Sequence, residues 1–317
     1  MTRLLACSIL AVSTLAVLSA SQQPPIFRGT TDTVRVFVTV IDDNERLVTT
    51  VTRDQFEVRD NGRPQPLTLF DNTPQPIQLV VMLDVSGSMQ GNLSLLRAAC
   101  EQLFSRLGPN DVARVGSFGR EIAISPASFT QDVAQLVGAL PVTIERNAPT
   151  PLWRALDEAM SAFDASDTRR VVLVLSDGGD SGPTFGKRFM SQLDIIERAR
   201  RDNVMIYAIG LHGRIQPRLP GESLQAAMVA SLPDPGLGRA ALESGGGYLE
   251  IRPRDDLGAA FARVADELHS QYVLGFAPPE RDGKSHKIEV RVSAKGLKPR
   301  ARKTYEAPAV AKPAPAR

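Results

Sequence analysis

The sequence predicts an α/β fold: a three-layer, doubly wound, mostly parallel sheet, inserted in or flanked by a small β-sheet module. Three observations carry this prediction. Between Ile77 and Gln271, short continuous apolar runs alternate with amphipathic stretches. That is the pattern of parallel strands buried on both faces and joined by helical crossovers. Before and after that region the apolar residues alternate strictly with polar ones, as in half-buried antiparallel strands. Finally, 317 residues with 43% hydrophobic and 23% charged side chains support about two globular units, and exclude wholesale disorder, collagen and polytopic membrane classes.

In the leading segment, residues 33–41 place Val34, Val36, Val38 and Val40 on one face and Arg35, Phe37, Thr39 and Ile41 on the other. A turn at 42–45, a short extended run at Leu47 and Val48, and a strand at 56–59 follow. Asp60-Asn61-Gly62-Arg63 reads as a hairpin turn, because Asn-Gly tolerates the positive φ such turns require. The return strand passes through Leu67, Leu69 and Asp71, and Pro74-Gln75-Pro76 marks a boundary.

In the central region, 79–83, 171–175 and 204–209 are strands buried on both faces, and 112–118 and 247–251 are further strands. Helices are expected over 94–107, 132–140, 151–163, 190–201 and 257–268. On the stripe Leu93, Leu96, Cys100, Leu103 and Leu107 the spacing of three and four makes Cys100 a core residue rather than a nucleophile. The closing segment carries strands at 271–276 and 287–292 about a turn at Asp282-Gly283-Lys284. Each flanking segment has few strands. Pairing the leading segment (26–73) with the closing one (271–306), around an inserted domain (77–270), would bury more of both. Residues 307–317, rich in Ala and Pro, read as a disordered tail.

The first 21 residues read as a secretory signal. Arg3 supplies the positive start, 4–18 the apolar stretch, and Leu18-Ser19-Ala20-Ser21 the small residues for cleavage. The expectation is export to a bacterial periplasm or beyond, with membrane association only if the signal stays uncleaved. Cleavage removes Cys7 and leaves Cys100, so no internal disulfide would staple the mature chain. Net charge is +2, yet ten Lys or Arg face two Glu from Lys284 to Arg317. These charges are spread along a patterned segment and read as a solvated basic face, not as a specific nucleic-acid site.

The chemistry sits where buried strands end. In Asp84-Val85-Ser86-Gly87-Ser88, alternation puts Asp84, Ser86 and Ser88 on one side of an extended turn, and Gly87 lets the backbone bend. Ligands of open parallel sheets bind at the carboxyl ends of the strands. One carboxylate and two hydroxyls form a hard oxygen donor set, suited to Mg²⁺ or Mn²⁺ rather than zinc. Asp177, in Ser176-Asp177-Gly178, stands at the end of a second buried strand. Thr150 precedes a helix, where it can cap the helix or offer its hydroxyl to an ion.

Together, Asp84-x-Ser86-x-Ser88, Thr150 and Ser176-Asp177-Gly178 resemble the metal-ion-dependent adhesion site of von Willebrand factor A-type domains, over roughly residues 77–270. The resemblance implies a mostly parallel sheet with a divalent cation at its top edge. It implies Ser86, Ser88 and Thr150 as hydroxyl ligands, Asp84 and Asp177 as carboxylates acting through water, and an open position for an acidic residue of a partner protein. The flanks, with Phe56-Glu57-Val58, the Asp60-Asn61-Gly62 turn, the run from Gln271 to Phe276 and the run from Ile288 to Val292, resemble the exported bacterial relatives of the acidobacterial type.

The expected function is therefore cation-dependent protein binding or adhesion, without catalysis. The ion would be Mg²⁺, with Mn²⁺ or Ca²⁺ as alternatives, and Gln90, Asn92, Arg146 and Gly179 would form the ligand-binding rim. His212, His269 and His286 lie in separate segments, each expected at the surface. Neither a His-Glu-x-x-His pair nor a Gly-x-Ser-x-Gly elbow occurs. No organic cofactor is called for. An assembly subunit acting through the β module is the alternative, and a metal-dependent hydrolase ranks below both.

Overall fold

A computed structural model of the chain describes residues 33–166, 168–182, 189–213 and 223–309. All fall within one unit, Asp32–Arg317. The expected signal, 1–21, and residues 310–317 of the expected tail lie outside the described residues.

The chain opens with four strands: β1 (Val34–Ile41), β2 (Phe56–Asp60), β3 (Arg63–Gln65) and β4 (Leu67–Asp71). Asn61 and Gly62, at φ of 48° and 82°, make the expected tight turn from β2 to β3. The α/β region then runs β5 (Ile77–Asp84), α1 (Leu93–Phe104), β6 (Val112–Phe118), β7 (Ile122–Thr130), α2 (Val133–Gly138) and α3 (Leu152–Ser161). It continues β8 (Arg169–Ser176), α4 (Gln192–Arg201), β9 (Val204–Leu211), α5 (Leu224–Ala230), α6 (Pro235–Ser244), β10 (Tyr248–Ile251) and α7 (Leu257–His269). The chain closes with β11 (Tyr272–Phe276), β12 (Ser285–Val292), β13 (Lys298–Arg300) and β14 (Thr304–Glu306).

The central sheet has the order β10-β9-β8-β5-β6-β7, parallel throughout except for β7 at one edge. Strands β5, β8 and β9 are apolar on both faces because both faces are covered. Leu79, Val81 and Leu83 meet α1 and α7 residues such as Leu96, Cys100, Phe261 and Val264 in one core. Val80 and Met82 meet Leu156, Ile195 and Leu237 of α3, α4 and α6 in the other. The three-layer expectation holds. Cys100 is fully buried, and burial pushes its thiol well above the ordinary value.

The flanking segments pair with each other, but in two sheets instead of one: β13-β1-β11-β4 and β14-β12-β2-β3, all antiparallel. Stacking two sheets buries an apolar face of each, which a single sheet would leave wet. Val36, Val38, Tyr272, Leu274 and Phe276 from one sheet share a core with Val58, Ile288 and Tyr305 from the other. The ordered chain also extends past the expected start of the tail. Ala307 is buried, its N–H donates to the Lys284 carbonyl at 2.8 Å, and Ala309 bridges Asp282.

A buried polar cluster joins the sandwich to the α/β region. Glu267 of α7 accepts hydrogen bonds from Tyr207 of β9 at 2.6 Å and Thr39 of β1 at 3.2 Å, and pairs with Arg300 of β13. Gln271 donates to Thr39 and Tyr207 at 2.8 and 3.1 Å. Directional contacts of this kind fix one docking angle where apolar packing alone would permit several.

His286 departs from its expected surface position. It is 3% exposed, with Asp60 at 3.0 Å from Nδ1 and Asp282 at 3.2 Å from Nε2. Tyr305 donates to Asp60 at 3.1 Å. A carboxylate on each ring nitrogen suits an imidazolium, since neutral imidazole has one N–H. Burial alone would lower the His286 pKa. The hydrogen bond and charge of Asp60, and then those of Asp282, outweigh burial and raise it. A raised folded-state value means the contribution is complete below about 6.5 and is lost as pH climbs through the raised value. Thermal unfolding should therefore come about 2–4 °C lower at pH 8.5 than at pH 6.5. A drop of the same size in His286→Gln would show that the imidazolium contributes nothing.

Candidate metal centre

Strand register assembles the centre. Leu83 of β5 is paired with Leu175 of β8, so the next residues, Asp84 and Ser176, emerge side by side at the carboxyl edge. Ser176 Oγ donates to Asp84 Oδ2 at 2.5 Å, and the Ser86 N–H donates to Asp84 Oδ1 at 2.8 Å. Asp84 is fully buried. Its pKa is pushed up to about 6, first by burial and further by the charge of Asp177, against the lowering effect of its hydrogen bonds from Ser176 and Ser86.

After Asp84 the chain makes a single short turn, Gly87–Met89, which carries Ser86 and Ser88 over the strand end. Their hydroxyl oxygens lie 3.0 Å apart, and Ser88 Oγ donates to Asp177 Oδ1 at 2.6 Å. Ser86 and Asp177 are each 1% exposed, whereas Ser88 is exposed. Gly87 is required by close approach: a Cβ there would lie 2.9 Å from the Asn147 amide nitrogen. The absence of that Cβ lets the 145–149 loop close over the turn.

Thr150 arrives on that loop. The N-cap of α3 is Pro151, without a side-chain cap, so Thr150 does not cap the helix. Its main chain is clamped, the N–H donating to Ser181 Oγ at 2.6 Å and the carbonyl accepting from Ser181 N–H at 2.9 Å. Thr150 Oγ1 and Ser88 Oγ lie 3.7 and 4.0 Å from where a Cβ on Gly178 would stand. The geometry thus gathers Asp84, Ser86, Ser88, Thr150 and Asp177 at one sheet edge.

The rim residues divide. Gln90, Arg146 and Gly179 are exposed, and the Arg146 backbone lies against Gly87. Asn92 is half-buried beside the start of α1, whose first residue follows it. A cleft lined by Val85, Arg120, Val142, Glu145 and Ala148 opens alongside, with Arg120 and Glu145 paired at 2.9 Å.

Residues with no motif of their own hold the donors in place. Asp180 accepts from the Trp153 N–H at 3.3 Å and the Gly182 N–H at 2.8 Å, while its own N–H donates to Asp234 Oδ2 at 3.1 Å. Burial, then the charge of Asp234, raises the Asp180 pKa against its backbone hydrogen bonds. Asp234 also caps α6 through the Gly236 N–H. Ser176 and Ser181 were legible only as neighbours of Asp177; the in-register pairing of two strand ends was the usable signal for Ser176.

The donor set fits a hard divalent cation. Two buried carboxylates repel each other, the hydroxyls of Ser86, Ser88, Thr150 and Ser176 stand beside them, and among the described residues neither sulfur nor imidazole is in contact. The histidines are engaged elsewhere: His269 with Asp111 at 2.6 Å, His212 with Glu250, and His286 in the sandwich. His212 and His269 are half-buried.

No curated protein matches the chain. Solved structures with similar folds include BatB, a conserved hypothetical protein from Bacteroides thetaiotaomicron, which is 16% identical. That match covers 61% of this chain and 97% of that one, with a TM-score of 0.47. An aerotolerance-related membrane protein from Bacteroides fragilis is 15% identical, covering 61% of this chain and 98% of that one, with a TM-score of 0.46. Proximal thread matrix protein 1 of the mussel byssus, with a zinc-occupied MIDAS motif, is 17% identical, covering 67% and 50%, with a TM-score of 0.47. Residues 79–179 match the family model of the von Willebrand factor type A domain, and the mostly parallel sheet that carries them is consistent with that fold.

Proposed function

We propose that this chain is an exported, non-catalytic binding module that captures a protein partner through a divalent cation, Mg²⁺ in first place. The observation that carries the reading is the convergence of three loops: Ser88 of the first is hydrogen-bonded to Asp177 of the third, with Thr150 of the second beside them. Ser86, Ser88 and Thr150 would supply hydroxyl oxygens, and Asp84 and Asp177 the negative charge. When bound, the ion supplies a Lewis-acidic centre that an Asp or Glu of the partner can ligate.

The chain's own residues do the rest. Asp84 orients the Ser86 turn through the Ser86 N–H, Ser181 clamps Thr150, and Asp180 ties the start of α3 to the α6 loop. Exposed Gln90 and Arg146, with the cleft around Val142 and Ala148, offer the surface that would set specificity. Export rests on the leading apolar stretch and the small residues at 18–21. Among the described residues no helix is long and apolar enough to cross a membrane.

The test immobilises wild type and Asp84→Ala and exposes both to native envelope extract in Mg²⁺ and in chelator. Retention of a partner by wild type in Mg²⁺ alone is the expected result. A partner held equally in chelator, or equally by Asp84→Ala, contradicts the reading.

A further inference from the structure

Away from the metal centre, at the edge where β8 and β9 begin, a cleft is lined by Arg169, Arg170, Arg200, Arg302, Thr304 and Glu243. Arg169 and Arg170 open β8, Arg200 lies near the end of α4, and Arg302 stands between β13 and β14. The cleft therefore sits on the seam between the parallel sheet and the sandwich. Four guanidiniums there face one carboxylate.

The four arginines lack close countercharges, although Asp111 acts on Arg169 from a distance. Among the described residues none of them takes part in an ion pair. Arg169 donates to the Leu268 carbonyl at 3.0 Å, and Arg170 to the carbonyls of Asp202, Asp164 and Ser166 at 3.2–3.3 Å. Arg302 donates to Asn203 Oδ1 at 2.6 Å and to the Arg35 carbonyl at 2.7 Å. Neutral acceptors fix the guanidinium planes without cancelling their charge. Burial lowers the pKa of both Arg169 and Arg302 to about 10.

The donors are also incomplete. The Nε atoms of Arg169, Arg170, Arg200 and Arg302, and Oγ1 of Thr304, are buried without a hydrogen-bond partner. Arg169 is 8% exposed and lies over the Phe37 ring at 4.7 Å. Native structures rarely leave such groups unsatisfied; these atoms are themselves closed to a water-sized group, so an ion in the cleft would meet the terminal guanidinium nitrogens that line it. The cleft is narrow, with room for one compact ion and too little for a large organic ligand.

We propose that this cleft binds a tetrahedral oxyanion of phosphate size, as the free ion or as the terminal group of a small phosphate monoester. A carboxylate offers two oxygens and one charge; phosphate offers more of both, matched to several guanidinium forks. A ligand seated there would touch the parallel sheet and the sandwich together, and so would stiffen the seam.

The test uses full-length, chelator-treated protein, so that phosphate cannot act through a bound cation. Inorganic phosphate, glycerol phosphate and acetate are titrated at matched ionic strength, with calorimetry and thermal unfolding as readouts. Saturable one-site binding of either phosphate compound, with a rise in Tm, is expected. Arg200→Gln removes a side chain that makes no hydrogen bond among the described residues, and should weaken binding about tenfold. Arg201→Gln, at the neighbouring residue paired with Asp202, should leave it unchanged. Binding no stronger than that of acetate, or affinity equal in wild type and Arg200→Gln, would overturn the assignment.

Discussion

Asp84→Ala is expected to lower divalent-cation affinity by about 100-fold or more while the protein stays folded. Outer-shell groups alone commonly alter metal affinity by about 10–100-fold, and Asp84 both supplies charge and orients Ser86. The substitution strands the Ser176 hydroxyl and the Ser86 N–H, at a cost of about 1–3 kcal/mol each. It also removes a fully buried carboxylate whose ionised form burial disfavours. The two effects oppose, so circular dichroism and the denaturant midpoint should move little while calorimetric Mg²⁺ binding disappears. Unchanged affinity would remove Asp84 from the ligand set. Collapse of the fold would instead make its role structural, and Asp84→Asn, which keeps the shape and one acceptor oxygen but loses the charge, would then decide.

Glu267→Ala should destabilise the protein by about 3–5 kcal/mol, the usual cost of breaking a buried ion pair by removing one partner. Glu267 is 4% exposed and is the shared acceptor for Tyr207 and Thr39 and the partner of Arg300. Its loss strands a cation and two hydroxyls at the seam between the modules. Glu267→Gln retains an acceptor and should cost less. Urea unfolding of the three proteins checks the order, and a loss below about 1 kcal/mol in Glu267→Ala would mean that water replaces the carboxylate freely.

The legible parts of the fold were those with long, uniform periodicity. The buried strands at β5, β8 and β9 declared themselves because covering both faces demands unbroken apolar runs. Strand β7 did not, since it is an antiparallel edge strand containing Pro126 with a half-exposed pattern. Strands β13 and β14, of three residues each, are too short for a period to register. Helix α6 has no long apolar stripe, but it carries local signals: Asp234 as cap, Pro235 in the first turn and left-handed Gly245 at the end.

At the centre, the sequence supplied the donor types but not their supports. Asp84, Ser86, Ser88, Thr150 and Asp177 stood out because each follows or precedes an element at the ligand edge. Ser181, Asp180 and Asp234 tie distant elements through contacts between residues 27 to 54 positions apart, and no local pattern encodes such pairings. His286 was misplaced for the same reason: its partner Asp60 is 226 residues away, so a lone histidine in an alternating strand gave no sign of burial.

The most direct measurement is anomalous diffraction from crystals of the protein grown with Mn²⁺. One peak per chain within about 2.0–2.6 Å of the hydroxyl oxygens of Ser86 and Ser88, and absent from Asp84→Ala crystals, is predicted. A fully occupied peak elsewhere, with none between the Ser86 turn and Asp177, would contradict the assignment of this sheet edge as the cation site.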